Sequence, residues 1–259
     1  MDASTTPPAI VLGYAQRLTD ELVRATDRCL KAVYLHGSAV LGGWVQAQSD
    51  IDILVVADDG ISSVAVNAIA ETLLASTSQC PGQKLENSVV TVAEAGKPGP
   101  PWPYLLHVTA GRIKPGTAVQ PGSGINGDVH LVMHYAVCRA SGWPLYGPRP
   151  PEVIGPVPRH AVLGYLASEL TWDLEHALEA HAVLSACRAR IYLTDDKIVS
   201  KIAGGEAMLS SGIGPAEVIR RALDQQQGTE SHQSPAADAV DFIRVTIEAL
   251  RLVNTNGAE

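Results

Sequence analysis

The segment Ser49-Asp50-Ile51-Asp52-Ile53-Leu54-Val55-Val56 restricts this chain more than any other. It is rich in β-branched residues, and in a strand successive side chains point to opposite faces. Asp50 and Asp52 therefore project side by side, with Ile51 and Ile53 turned into a core. Two neighbouring carboxylates at a strand start repel strongly unless a positive charge sits between them. Upstream, the apolar run ending at Leu35 turns through His36-Gly37-Ser38, so a strand, a Gly-Ser turn and a loop lead into the acidic strand.

Around this centre the periodicity predicts a helix from Ile10 to Leu30 and strands over Ala32–Leu35 and Ile51–Ala57. A helix follows over Ser62–Ser76 with Ser62 as N-cap, then a strand over Leu85–Val92 carrying Glu86 near its start. Tyr104–Thr109 reads as a further strand and Asp128–Ser141 as a helix stopped by Gly142-Trp143-Pro144. The proline-rich run from Tyr146 to Pro158 reads as the domain boundary. Beyond it strand signals fade, and helical patterns cover 160–194, 197–209, 216–226 and 236–253. The expectation is an α+β chain, with a mixed α/β domain over residues 1–155 and an α-helical bundle over 156–259.

Composition narrows the function classes. The chain has 259 residues, 46% of them hydrophobic, and a formal net charge of −8. That charge argues against a general grip on nucleic-acid backbone and suits a cationic substrate. The four cysteines (Cys29, Cys80, Cys138, Cys187) are widely spaced and form no CxxC pair, which predicts buried reduced thiols and a cytoplasmic setting. MDASTTPPAI lacks the basic and apolar regions of a signal peptide, and no apolar run is long enough to span a bilayer. Two motifs are discounted. Gly122–Gly127 fits GxGxxG without a surrounding βαβ unit, and His130 and His134 lack the glutamate of HExxH, so both read as partly buried histidines.

Three features carry chemistry. Gly37-Ser38 can turn the backbone so that N–H groups and a hydroxyl face phosphate oxygens. Asp50 and Asp52 offer the oxygen ligands that Mg²⁺ prefers, completed by nucleotide phosphates. Glu86, near the start of another β-branched strand, adds a third carboxylate, which can serve as a metal ligand or as a base. For each the bland alternative is an ordinary turn or a solvated strand end.

The pattern HGSAVLGGWVQAQSDIDILVV, with G-S ahead of D-x-D in a hydrophobic strand, resembles the nucleotidyltransferases of the DNA polymerase β type. More closely it is similar to the aminoglycoside adenylyltransferases that inactivate streptomycin and spectinomycin. The resemblance implies a polymerase-β-like N-terminal domain, a helical C-terminal bundle, and Mg²⁺-dependent transfer of AMP from ATP to an antibiotic hydroxyl. It implies Glu86 as catalytic base, since the family also opens this strand with Leu-Glu. Ser49 becomes a triphosphate contact, as do Arg188 and Lys201 in VLSACRARIYLTDDKIVSKIAG, with Lys197 a turn before Lys201. ELTWDLE resembles the stretch in which the family holds streptomycin; Trp172 supplies an apolar wall, and either Asp173 or Glu175 a carboxylate, while Glu169 and Glu179 lie a turn away on the same pattern. The family also carries a tryptophan after its PWxY motif; here PWPY stands at 101–104 and LLHVTAGRIKPG follows without one. The resemblance thus implies a monomer working on ATP and a cationic small molecule, with neither nucleic acid nor membrane. Two alternatives remain: adenylylation of another small hydroxylated molecule (a lincosamide, for instance) or of a protein, and a silent homologue that senses nucleotide. The intact Asp50, Asp52 and Glu86 speak against silence.

Overall fold

The structure, a computed structural model, describes residues 5–46, 48–111, 117–122, 127–176, 179–228 and 237–256. It divides into two compact units, Met1–Val157 and Pro158–Glu259. The fold is α+β, a mixed sheet with flanking helices in the first unit and helices alone in the second.

In the first unit, α1 (Ala9–Ala25) leads to β1 (Leu30–His36), and β2 (Ile51–Ala57) follows after a 3₁₀ turn at Gly37–Ala39. Helix α2 (Ser63–Ser76) crosses to β3 (Lys84–Thr91), followed by the short α3 (Val92–Gly96), β4 (Leu106–Gly111), β5 (Thr117–Pro121), α4 (Leu131–Ser141), β6 (Trp143–Tyr146) and α5 (Pro150–Val153). The strands form one sheet in the order β5-β4-β3-β2-β1-β6. Only β2 and β3 pair in parallel, as the intervening helical crossover requires; the other neighbours are antiparallel. Ile51, Ile53, Leu54, Val55 and Val56 have no exposed surface, so β2 is the sheet's buried centre. Ser62 caps α2 by accepting the Ala65 N–H, and Thr91 and Glu94 close a capping box on α3.

Several elements depart from the periodicity. α1 ends at Ala25 rather than at Leu30, because Asp27 and Arg28 take left-handed backbone angles (φ 47° and 64°) and turn the chain into β1. β5 lies in the glycine- and proline-rich stretch read as loop, and β6 in the Gly-Trp-Pro stretch read only as a helix stop. Both are edge strands, and Pro144 is tolerated at the edge because no further strand needs its missing N–H. Cys80, Cys138 and Cys187 are buried and Cys29 is half-buried, and all four are free thiols.

The second unit holds α6 (Arg159–His176), α7 (Glu179–Asp195), α8 (Lys201–Ser211), α9 (Ala216–Gln227) and α10 (Ala237–Asn256). α10 packs on α6 and α7, and α7 on α8 and α9. Val183, Leu184, Ala186, Cys187 and Ala189 are fully buried, which makes α7 the centre of the bundle. Ser200 caps α8 through the Ala203 N–H, so Lys197 precedes the helix instead of sharing its face with Lys201. Among the described residues, no helix is long and apolar enough to cross a membrane. The GxGxxG stretch lies largely outside the described residues, as does the side chain of Glu179.

Candidate active site

Strand register gathers the acidic residues of the first unit. Asp52 of β2 pairs with His36 of β1 on one side and with Glu86 of β3 on the other, and Glu86 pairs with Thr109 of β4. His36, Asp52, Glu86 and Thr109 thus form a row across four strands, all on one face. Two residues along, Ser88 pairs with His107 and His107 with Gln120, giving a second row on that face. Asp50 and Lys84 precede Asp52 and Glu86 by two residues and share their face.

The turn after β1 is shaped for this row. Gly37 has φ +67°, and a Cβ there would land on the Asp52 carboxylate. Glycine is the residue that permits both the backbone angle and the close approach. Ser38 follows within the 3₁₀ turn. Ser49 is buried, and its hydroxyl oxygen accepts the Val45 N–H at 2.9 Å, which folds the loop that delivers Asp50. Gly82 passes so close to the Ser49 carbonyl that a Cβ would lie 2.6 Å from it, and Gln83 N–H donates to that carbonyl at 2.9 Å. The starts of β2 and β3 are thereby fixed side by side.

Electrostatics within the cluster are uneven. Burial, then the Glu86 and Asp50 carboxylates, push Asp52 well above the usual carboxylate range. Burial also works against the Glu86 charge, yet the Lys84 ammonium, with His134 and His107, holds Glu86 below its ordinary value. Lys84 Nζ lies 2.5 Å from Glu86 Oε1 and 3.5 Å from Asp50 Oδ2. A lysine packed permanently against the Asp50/Asp52 pair would remove the case for a metal there. Lys84 instead meets Asp50 and Glu86, with a side chain 36% exposed.

Over this face, α4 contributes His134, whose ring lies 5.0 Å from that of His36 and whose Nδ1 is 3.4 Å from Ser88 Oγ. Ser88 Oγ also meets His107 Nδ1 at 3.1 Å, and His107 Nε2 meets Thr109 Oγ1 at 3.0 Å. Burial holds His36, His107 and His134 below their ordinary values, His134 at about 4, so all three are neutral near pH 7. A cavity of about 510 Å³ opens beside Glu86, lined also by Tyr104, His107, Gln120, Asp128 and His134. Spacing gave no role to Lys84, His36 or His107, and it read His134 only as a partly buried histidine, which it is. The K-x-E spacing in a strand was the signal for Lys84; His134 carried none, because it lies on α4 and its partners on β1 and β3.

Among the described residues, no three or more His, Cys, Asp or Glu side chains form a ready-made metal cage. The donor set nevertheless fits a hard divalent cation: carboxylate oxygens on one face, one of them carrying a repulsion that added positive charge would relieve.

The second unit has its own polar cluster. Asp173 on α6 is 2% exposed, with Oδ1 3.7 Å from His181 Nε2 on α7. His181 Nδ1 lies 2.8 Å from Lys201 Nζ at the start of α8. Arg188 reaches Ser185 Oγ at 3.4 Å, and α8 approaches it closely because Gly204 has no side chain. Burial and Glu169 push Asp173 up to about 6, against the pull of Lys201 and Arg188. Trp172 is 58% exposed and stacks on His176, ring centroids 4.6 Å apart, and Glu175 is likewise exposed. Asp173 and Lys201 are thus joined through His181, whose side chain is 43% exposed, and the Arg188 charge acts on both Asp173 and His181. Trp172 and Glu175 face solvent.

Residues 152–248 match the family model described as aminoglycoside adenylyltransferase, C-terminal domain. The fold is similar to that of a spectinomycin adenyltransferase, AAD(9) from Enterococcus faecialis, whose crystal structure holds ATP and spectinomycin. That similarity has a TM-score of 0.66 at 16% identity and covers 92% of this chain and 99% of the other. No curated protein matches the sequence. The resemblance to aminoglycoside adenylyltransferases is borne out, by the family model over the helical unit and by the solved structure for the fold.

Proposed function

We propose that the chain transfers AMP from ATP to a hydroxyl of a cationic aminoglycoside or aminocyclitol of the streptomycin or spectinomycin type, releasing pyrophosphate. The observation that carries this reading is the register that sets Asp52 beside Glu86 on the face bordered by the Gly37-Ser38 turn. Asp50 and Asp52 would hold Mg²⁺, which supplies positive charge against the nucleotide's triphosphate when bound. Gly37, Ser38 and Ser49 orient the phosphates.

Glu86, held below its ordinary value chiefly by the Lys84 ammonium, takes the proton of the acceptor hydroxyl. The freed oxygen attacks the α-phosphorus; that O–P bond forms as the bond to the bridging oxygen of pyrophosphate breaks. The cavity beside Glu86 is the space for the group bearing the reacting hydroxyl. Its neutral imidazoles hydrogen-bond a polyhydroxylated ring, and its two carboxylates, Glu86 and Asp128, favour an amine-bearing one. Arg188 and Lys201 are assigned to the triphosphate charge, and Trp172 with Asp173 or Glu175 to the acceptor. In this reading residues 1–155 form the nucleotidyltransferase domain and 156–259 bind triphosphate and acceptor. The chain works as a cytoplasmic monomer, without nucleic acid or membrane.

The test is pyrophosphate release from ATP against a panel of aminoglycosides and aminocyclitols, wild type beside Glu86→Gln. Release with streptomycin or spectinomycin, reduced at least ~10³-fold by the substitution, is expected. Release with no member of the panel would remove this acceptor class, and nucleotide binding without any release would leave a sensor.

A further inference from the structure

We propose that Lys84 is a resident counter-cation of the carboxylate cluster, occupying the oxygens that a divalent metal needs and so making the site take up metal with nucleotide in preference to free metal. The inference rests on the metal-holding role proposed for Asp50 and Asp52.

Lys84 is placed by the same register that builds the site. Lys84 and Glu86 are two residues apart on β3 and share a face. The Gln83 N–H bond to the Ser49 carbonyl and the close passage of Gly82 pin the start of β3 against the start of β2. The ammonium therefore falls between Asp50 and Glu86, at 3.5 Å and 2.5 Å. On β4 the residue paired with Lys84 is Gly111, which offers no side chain to hold the lysine stem. The charges in contact thus come from carboxylates on β2 and on β3 itself.

A divalent ion arriving alone must displace this ammonium from the Asp50 oxygen and sit beside its positive charge, with Glu86 the lysine's remaining carboxylate partner. An ion arriving on a triphosphate brings its own anion, to which the lysine can turn on its flexible four-carbon stem. Lys84 thereby weakens binding of the bare metal and penalises the loaded complex far less.

The experiment measures Mn²⁺ affinity of the full-length chain at pH 8 without nucleotide, by calorimetry and by the electron paramagnetic resonance signal of free Mn²⁺. Wild type is compared with Lys84→Met, Lys84→Gln, Lys84→Arg and the double variant Lys84→Met/Asp52→Asn, each checked for fold by circular dichroism. Lys84→Met and Lys84→Gln are expected to bind Mn²⁺ about tenfold or more tightly than wild type, with Lys84→Arg within about twofold of it. The double variant should lose the gain. A non-hydrolysable ATP analogue should shrink the difference between Lys84→Met and wild type to less than about threefold. Equal or weaker binding by both neutral variants, or a gain that survives Asp52→Asn, overturns the role of Lys84 alone. Absence of Mn²⁺ binding in every variant overturns the metal-holding reading together with it.

Discussion

The two units gather charged groups by different means. In the first, the acidic row follows from strand spacing and ladder pairing: Asp50 and Asp52 are two residues apart, and Asp52 pairs directly with Glu86. Little tertiary adjustment can separate them, because a one-residue slip would turn every side chain of β2 to the other face. In the second unit Asp173, His181 and Lys201 come from three successive helices, and packing alone brings them together. A site built on register tolerates little change in its turn but much around it. A site built on packing is sensitive to the protonation state of each buried member.

The sharpest way to break this comparison is at the turn. Gly37→Ala puts a methyl group onto the Asp52 carboxylate and asks an L-residue to hold φ +67°. The strain costs on the order of 1–3 kcal/mol, read as a lowered Tm of the N-terminal unit. Pyrophosphate release is expected to fall at least ~100-fold, because the row moves relative to the turn. Ser38→Ala, which leaves backbone and space intact, should lose less than a tenth of that effect on Tm. A Gly37→Ala chain that melts and turns over like wild type would show that the turn and the row are not coupled.

The helical cluster predicts a smaller effect of a different kind. Asp173 is raised to about 6 by burial and by Glu169, so the folded unit binds its proton more tightly than the unfolded chain does. That contribution stabilises as pH falls from 6 toward 4 and is lost as pH rises through 6, worth on the order of 1–3 kcal/mol. His181 runs the other way. Partial burial and the Lys201 and Arg188 charges depress it, so its contribution is lost as pH falls below the ordinary imidazole range. In wild type the two oppose each other, and stability of the helical unit should vary little between pH 7 and 5. Asp173→Asn should expose the histidine and make the unit lose stability on acidification, whereas His181→Gln should make it gain. Hydrogen exchange in α6 and α7 across that pH range reads both signs separately from the sheet. The same pH slope in both variants would mean that the two groups do not share one environment.

What could be read from the sequence follows the same division. The α+β class, β2 over Ile51–Ala57, the helix capped by Ser62 and the sharing of one face by Asp50 and Asp52 all rest on local spacing. That Glu86 stands beside Asp52 follows from the parallel pairing of β2 with β3; the resemblance implied only that the two carboxylates serve one site, and periodicity did not imply even that. Lys84 was legible in principle from K-L-E on a strand, but its meaning depends on Asp50 lying across the ladder. β5 and β6 were missed because edge strands accept Gly and Pro, the residues that mark loops elsewhere. His134 and His181 could not be found by spacing, since each meets its partners across elements far apart in sequence.

The smallest effect expected is at Trp172, and it separates recognition from architecture. The ring is 58% exposed and stacks on His176 of its own helix at 4.6 Å and 15°, so it supports no core. Trp172→Ala should change stability by less than ~0.5 kcal/mol, as surface substitutions do. If the ring is a wall for a cationic acceptor, the substitution should raise KM for that acceptor about five- to twentyfold and leave kcat and the KM for ATP nearly unchanged. Glu175→Gln, one turn away and equally open to solvent, should show the same KM pattern at lower amplitude and with greater salt dependence, because an exposed charge is screened where an aromatic face is not. A loss in kcat instead, with acceptor KM unchanged, would move Trp172 from acceptor binding to the positioning of the helical unit. A change in neither would return the acceptor's recognition wholly to the cavity beside Glu86.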